Sequence, residues 1–243
     1  MNAWNDIVQG LQGSALPWLV LTMGVYLAAL ALYKRSGCHP LLIPVFTAVV
    51  VIVSLLLLTG TPYATYREGV QWLSLLVGPA TVALAVPLYA QRQRIRALWL
   101  PITVALVVGC VVALVSAMGI AWALGGSWET VVSLAPKSAT IPIALPMAER
   151  FGGLPSLAAV AVAVAVTGIS GTMLAPWLGR LLRTQDPAVN GFALGLTAHA
   201  IGTARGLQVN PTAGAFAALA MGLNGVLTAL LMPLCVAVFQ RLP

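Results

Sequence analysis

Charge is what this chain has least of. Of its 243 residues 7% are charged, where a soluble globular domain carries about 25%, and 60% are hydrophobic, with a mean hydropathy of +0.98. That balance excludes an ordinary soluble fold and describes an integral membrane protein. Acids are scarcest, five in all. The only aspartates, Asp6 and Asp186, fall outside the long apolar stretches, so no acid pair is available for intramembrane hydrolysis. HExxH, Walker and GxSxG elements are missing, and the neighbours Lys137 and Ser138, on irregular backbone, are poorly placed as base and nucleophile. The reading is therefore not an enzyme, and no cofactor is called for. Three cysteines, Cys38, Cys110 and Cys235, have no CxxC spacing; neither a disulfide framework nor a metal site follows, and they read as small hydrophobes.

What is abundant is apolar length. Stretches long enough to span, about 17 to 25 residues or more, lie at 16–33, 40–59, 70–90, 97–124, 155–179 and 212–239. Weaker segments at 130–150 and 188–208 are broken by proline or glycine, and each precedes a robust stretch. The expected fold is an all-α polytopic membrane protein of about six full transmembrane helices plus two broken or re-entrant segments in an inverted repeat. Residues 1–125 read as scaffold or oligomerisation helices and 126–243 as the transport unit. Met1 to Gly13 carries Asp6 and no basic residue, unlike a cleavable leader, and is expected to lie along the membrane interface.

The net charge of +7 does not point to nucleic acid, because the basic residues cluster at span ends. Lys34 and Arg35, then Arg92, Arg94 and Arg96, follow the first and third stretches, which turns the N-terminus outward. Trp18, Trp72, Trp99, Trp122, Trp128 and Trp177 are expected at water boundaries. Arg180 and Arg183 end the fifth stretch and belong on the cytoplasmic side, so residues 130–150 should dip in and return, and 188–208 should do so from the other face. The alternative keeps both as full crossings. Leu134-Ala135-Pro136-Lys137 pairs in order with Leu196-Thr197-Ala198-His199, and Gly152 to Ser156 with Asn210 to Gly214.

The run Pro136-Lys137-Ser138-Ala139-Thr140-Ile141-Pro142 interrupts this apolar chain at a cost. A charge near the bilayer centre costs about 2.5 to 3.5 kcal/mol, and each proline removes a backbone donor. Lys137 is the sharpest candidate for binding an anion, against the alternative of snorkelling to the headgroups. Ser138 and Thr140 offer hydroxyls, or merely re-satisfy freed backbone groups. In the second broken segment Thr197, His199, Gly202, Thr203 and Arg205 stand out. Glycine permits close backbone approach, and the planar fork of arginine suits a carboxylate, unless it anchors in headgroups. His199 is a proton carrier or a packing residue; Asn224 is a substrate contact or an interhelical hydrogen bond. Together Lys137, Arg205 and His199 make the region electropositive, which favours small anions.

The same residues carry a resemblance. Pro136-Lys137-Ser138 through Pro142-Ile143-Ala144, then Gly152-Gly153-Leu154-Pro155-Ser156, His199-Ala200-Ile201-Gly202-Thr203-Ala204-Arg205, and Gly214-Ala215-Phe216 through Asn224-Gly225-Val226 resemble the LrgB/CidB membrane proteins in order and spacing over about 130–235. Ahead of that the likeness is one of hydrophobic layout. Ile141 stands where the family often has a second threonine, and Ala200 where glycine is usual. The resemblance implies two functions: an antiholin-like modulator of murein hydrolase export and autolysis, or a carrier of small carboxylates, as in the plastid glycolate/glycerate translocator. The first choice is a secondary transporter of monocarboxylates of the pyruvate, glycolate, glycerate and lactate class, in the bacterial cytoplasmic (inner) membrane. A small LrgA/CidA-like subunit and a homodimer formed by the first four spans are the expected partners, besides the lipid bilayer; nucleic acid is not.

Overall fold

The computed structural model describes residues 15–153 and 157–241, and the expected interfacial segment 1–13 lies outside them. The described residues are mostly helical, with no strand among them. Among them, five helical stretches are long and apolar enough to cross a membrane: Leu16–Arg35, Gln71–Ala90, Trp99–Ala123, Ala158–Leu181 and Pro211–Phe239. The remaining stretch expected to span forms Pro44–Thr59, 16 residues, short of the roughly 20 that cross a bilayer upright. The protein is a multi-pass membrane protein.

Two compact units divide the chain, Met1–Ala85 and Val86–Pro243. This boundary falls earlier than the 125/126 division read from the sequence, because helix Trp99–Ala123 packs with the later elements. The first unit contains α1 (Ala15–Arg35), α2 (Pro44–Thr59), α3 (Tyr63–Gly69), α4 (Gln71–Leu75) and α5 (Val77–Ala83). Trp18 departs from expectation here. It is fully buried, edge-on to Tyr66 at 5.4 Å between ring centroids, so it fills a core instead of marking a water boundary. Trp72, Trp99, Trp122 and Trp177 are exposed.

The second unit adds α6 (Ala85–Ala90), α7 (Arg92–Ala97), α8 (Trp99–Ala123), α9 (Trp128–Leu134), α10 (Ile141–Arg150), α11 (Leu157–Leu181), α12 (Pro187–Val209) and α13 (Pro211–Phe239). Its starts are written in the sequence. Ser127 accepts from the Thr130 N–H, Asp186 from that of Ala188, and Asn210 from those of Thr212 and Ala213. Pro187 and Pro211 take the first helical positions, where the missing N–H has no partner to lose.

Both broken segments double back. The first leaves helical geometry between Leu134 and Ile141, where Pro136 supplies no donor. Gly153, past the return arm α10, then lies so close to Ser133 of the outgoing arm that a Cβ would sit 2.8 Å from the serine hydroxyl. The second reverses at His199, whose backbone is left-handed at φ 41° and ψ −127°. Gly202 closes on the Leu194 carbonyl across that bend, and Gly191 and Gly206 both close on Ala213 of α13. A straight helix would hold those two glycines about 22 Å apart.

The hairpins open at opposite ends. α8 and α13 run parallel: Leu106 clusters with Phe216 and Ala220, Met118 with Met232 and Val236, and Phe239 reaches Gly119. Hairpin α9–α10 opens beside the C-terminal end of α8, where Ala121 packs with Val131 and Val132. α11 runs the other way, ending near Asp186 at the mouth of hairpin α12. Asp186 meets Arg94, just ahead of α8, at 2.8 Å. Each unit of hairpin plus following helix is thus the other upside down, an inverted repeat.

Candidate functional site

The hairpin tips meet at the mid-height of three spanning helices. A cavity of about 350 Å³ lies there. Tip one contributes Lys137 and Ser138, hairpin two Leu196 and Thr197, α8 Gly109, Val112 and Ala113, and α11 Thr167, Ser170, Gly171 and Leu174. Lys137 is half-buried, and its side chain has no acidic partner; the one ion pair among the described residues joins Arg94 to Asp186 on an exposed surface. An ammonium removed from bulk water without a counter-ion is a site that attracts an anion. The return arm α10 begins at Ile141, immediately after the tip, so the positive end of its dipole is on the same side.

Three of the four hydroxyl side chains on the cavity wall, all but that of Ser138, have committed their protons. Thr167 donates to the Ala163 carbonyl, Ser170 to Val166 and Thr197 to Ala193, each at 2.7 Å and each four residues back along its own helix. What they present sideways is oxygen lone pairs, which accept. The cavity therefore combines one cation with several acceptors and an apolar side formed by Val112, Ala113, Leu174 and Leu196.

The other candidates do not line this cavity. His199, at the second bend, is buried against α11, with Nε2 2.9 Å from the Val164 carbonyl; in that contact the ring nitrogen donates. Gly168 makes room for the imidazole, since a Cβ there would lie 2.7 Å from Cε1. Thr203, buried, donates to the His199 carbonyl at 2.9 Å and so stitches the left-handed turn to the return arm. Gly202 closes the bend on Leu194. Thr140 is the N-cap residue of α10, with no side-chain capping bond. Arg205 is half-buried farther along the return arm of α12. Asn224, in the middle of α13, donates to the Ser138 carbonyl at 3.0 Å and to that of Leu196 at 3.3 Å. Thr167, Ser170 and Gly171 were not singled out from the sequence. Their signal was present: Thr167-Gly168-Ile169-Ser170-Gly171-Thr172 places three hydroxyl-bearing residues and two glycines mid-way along an otherwise aliphatic span.

Residues 22–238 match the profile of the LrgB-like family. The chain belongs to that family. The match takes in most of the first unit as well, so the kinship extends well ahead of the 130–235 region whose motifs carried the resemblance. Among LrgB relatives, the uncharacterized protein YxaC of Bacillus subtilis (strain 168) is 38% identical over 222 residues, covering 91% of this chain and 95% of its own. The antiholin-like protein LrgB of Bacillus mycoides (strain KBAB4) is 32% identical over 219 residues, 89% of this chain and 93% of that protein. Its namesake in Bacillus cereus (strain B4264) is 31% identical over the same length. No solved structure matches the chain.

Proposed function

We propose that this LrgB-family protein is a secondary transporter of small monocarboxylates, bound where the two hairpin tips meet. The observation that carries the reading is Lys137, a half-buried lysine with no acidic partner on a cavity between inverted re-entrant hairpins. Crossed hairpins at mid-membrane make a site that can be exposed to either side in turn, which is the need of a carrier and not of a pore. A carboxylate would take the Lys137 ammonium, with the start of α10 adding positive potential. Ser138 and Thr140 belong to the same tip, and His199, Gly202, Thr203, Arg205 and Asn224 form and brace the second tip and its surroundings.

The wall chemistry narrows the substrate. Thr167, Ser170 and Thr197 offer acceptors, and a ligand hydroxyl is the natural donor to them, so hydroxymonocarboxylates such as lactate, glycolate or glycerate should bind better than the keto acid pyruvate. A lost hydrogen bond of this kind is worth about 0.5 to 1.5 kcal/mol, or about twofold to tenfold in affinity. In an elevator-like cycle the second unit, from Val86 onward, carries the anion, and the first unit holds a homodimer in the bacterial cytoplasmic membrane. A small LrgA/CidA-like subunit is a further partner on this reading.

A second reading follows from the relatives named antiholin-like protein LrgB: a regulator of autolysis acting through oligomers or partner contacts. Counterflow of radiolabelled lactate in proteoliposomes separates the two. Saturable exchange, inhibited more strongly by hydroxy acids than by pyruvate and insensitive to dicarboxylates, is expected of the carrier. Leakage of a neutral dye without saturable exchange would support the regulator.

A further inference from the structure

Asn224 sits in the middle of α13 and is 1% exposed. Its Nδ2 carries two protons, and each goes to a different hairpin, one to the Ser138 carbonyl and one to the Leu196 carbonyl. Both acceptors lie where helical bonding is interrupted. Ser138 is in the turn between α9 and α10, and the i+4 partner of Leu196 lies beyond the bend at His199. Oδ1 is buried with no hydrogen-bond partner among the described residues, so the two N–H bonds alone fix how the amide faces. Turned over, it would set an oxygen against two carbonyl oxygens. Gly225 beside it closes on Ile143 of the return arm, which brings tip one hard against α13.

We infer that Asn224 is a positioning residue, a latch that ties both hairpin tips to α13 and makes them move as one body. It does not line the cavity. It acts through Ser138 and Leu196, keeping Lys137 and Thr197 on the same pocket. The consequence for flux rests on the carboxylate-carrier reading; the latch itself does not.

The test uses the full chain in lipid nanodiscs, free of native cysteines, with spin labels at Ile141→Cys and Ala200→Cys. Both positions are exposed and flank the tips. Pulsed electron resonance then reads the tip-to-tip distance distribution for Asn224, N224L and N224D. Leucine keeps the bulk and donates nothing. Aspartate keeps the shape, donates nothing when ionised, and regains one donor when protonated. The expected result is a narrow distribution with Asn224, a broad one with N224L, and for N224D a distribution that is broad at high pH and narrows reversibly on acidification. That reversal, within one sample, separates loss of the latch from misfolding. The Asn224 protein at both pH values controls for Glu129, Lys137, Glu149, Arg150, His199 and Arg205, the titratable and charged groups on the two hairpins packed here. Uptake of lactate should fall about tenfold in N224L. An N224L distribution as narrow as that with Asn224 overturns the latch even if flux is present. Altered distances in a protein that carries no carboxylate uphold the latch and overturn the carrier reading.

Discussion

At the scale of single residues, two kinds of position must be told apart, those that face the cavity and those that shape it. His199 shapes it. A left-handed backbone on a non-glycine residue costs about 1 to 3 kcal/mol, and here the imidazole bond to Val164 and the Thr203 bond to the His199 carbonyl hold the bend. His199→Ala should lower the melting temperature in detergent by several degrees, consistent with a loss of about 1 to 2 kcal/mol, followed by light scattering or tryptophan fluorescence. Gly168→Ala should do comparable damage by driving a methyl into the imidazole, since overpacking costs about 1 to 3 kcal/mol. Lys137 and Ser138 were legible in the sequence because prolines bracket them in an apolar chain. The part played by Asn224 was not, since its acceptors lie 86 and 28 residues away; sequence gave only the alternatives of ligand or interhelical bond. The hydroxyls of α11 were hidden for a different reason. Serine and threonine in an apolar helix usually bond back to their own backbone, and so these do; only the cavity beside them makes their lone pairs matter.

At the scale of elements, the turn of the first hairpin could be read from Pro136 and Pro142; the second segment was expected to dip and return, but the place of its bend, at His199, was not legible. Residues 187–209 contain no internal proline and keep helical bonding on both sides of His199; what betrays the reversal is glycine. Gly191 and Gly195 close on the backbone of Ala213 and Ala217, and Gly202 on that of Leu194. Any side chain at these points would push the arms apart. Gly195→Leu should therefore unseat hairpin two, with loss of a discrete thermal transition and of monodispersity in size-exclusion chromatography. By contrast Arg94→Ala, which removes an ion pair whose side chains are about two-fifths exposed, should shift stability by less than about 1 kcal/mol. The same thermal assay checks both, and equal effects would argue against glycine packing as the source of hairpin stability.

At the scale of the whole molecule, the multi-pass helical architecture was legible from apolar length and the inverted arrangement from Arg180 and Arg183, but six full spans were expected and five of the described helical stretches are long enough, Pro44–Thr59 falling short. The division into units was not legible. Long aliphatic helices look alike in composition, and nothing in the letters of α8 says that Cys110, Leu114 and Met118 pack on α9 and α13. The unit proposed to move therefore starts near Val86 and includes α8, whose Gly109 makes room for Leu196 of hairpin two. If the first unit forms a homodimer, cross-linking in native membranes should capture pairs through residues ahead of Ala85 and none through α11. The direct test of the central claim is uptake of radiolabelled lactate by proteoliposomes containing Lys137, K137R or K137M protein. A charge-assisted bond to a carboxylate is worth about 1.5 to 3 kcal/mol, so uptake by K137M should fall at least about tenfold, with K137R retaining part of it. Uptake by K137M equal to that of the Lys137 protein would contradict the assignment of this cation to the anion site.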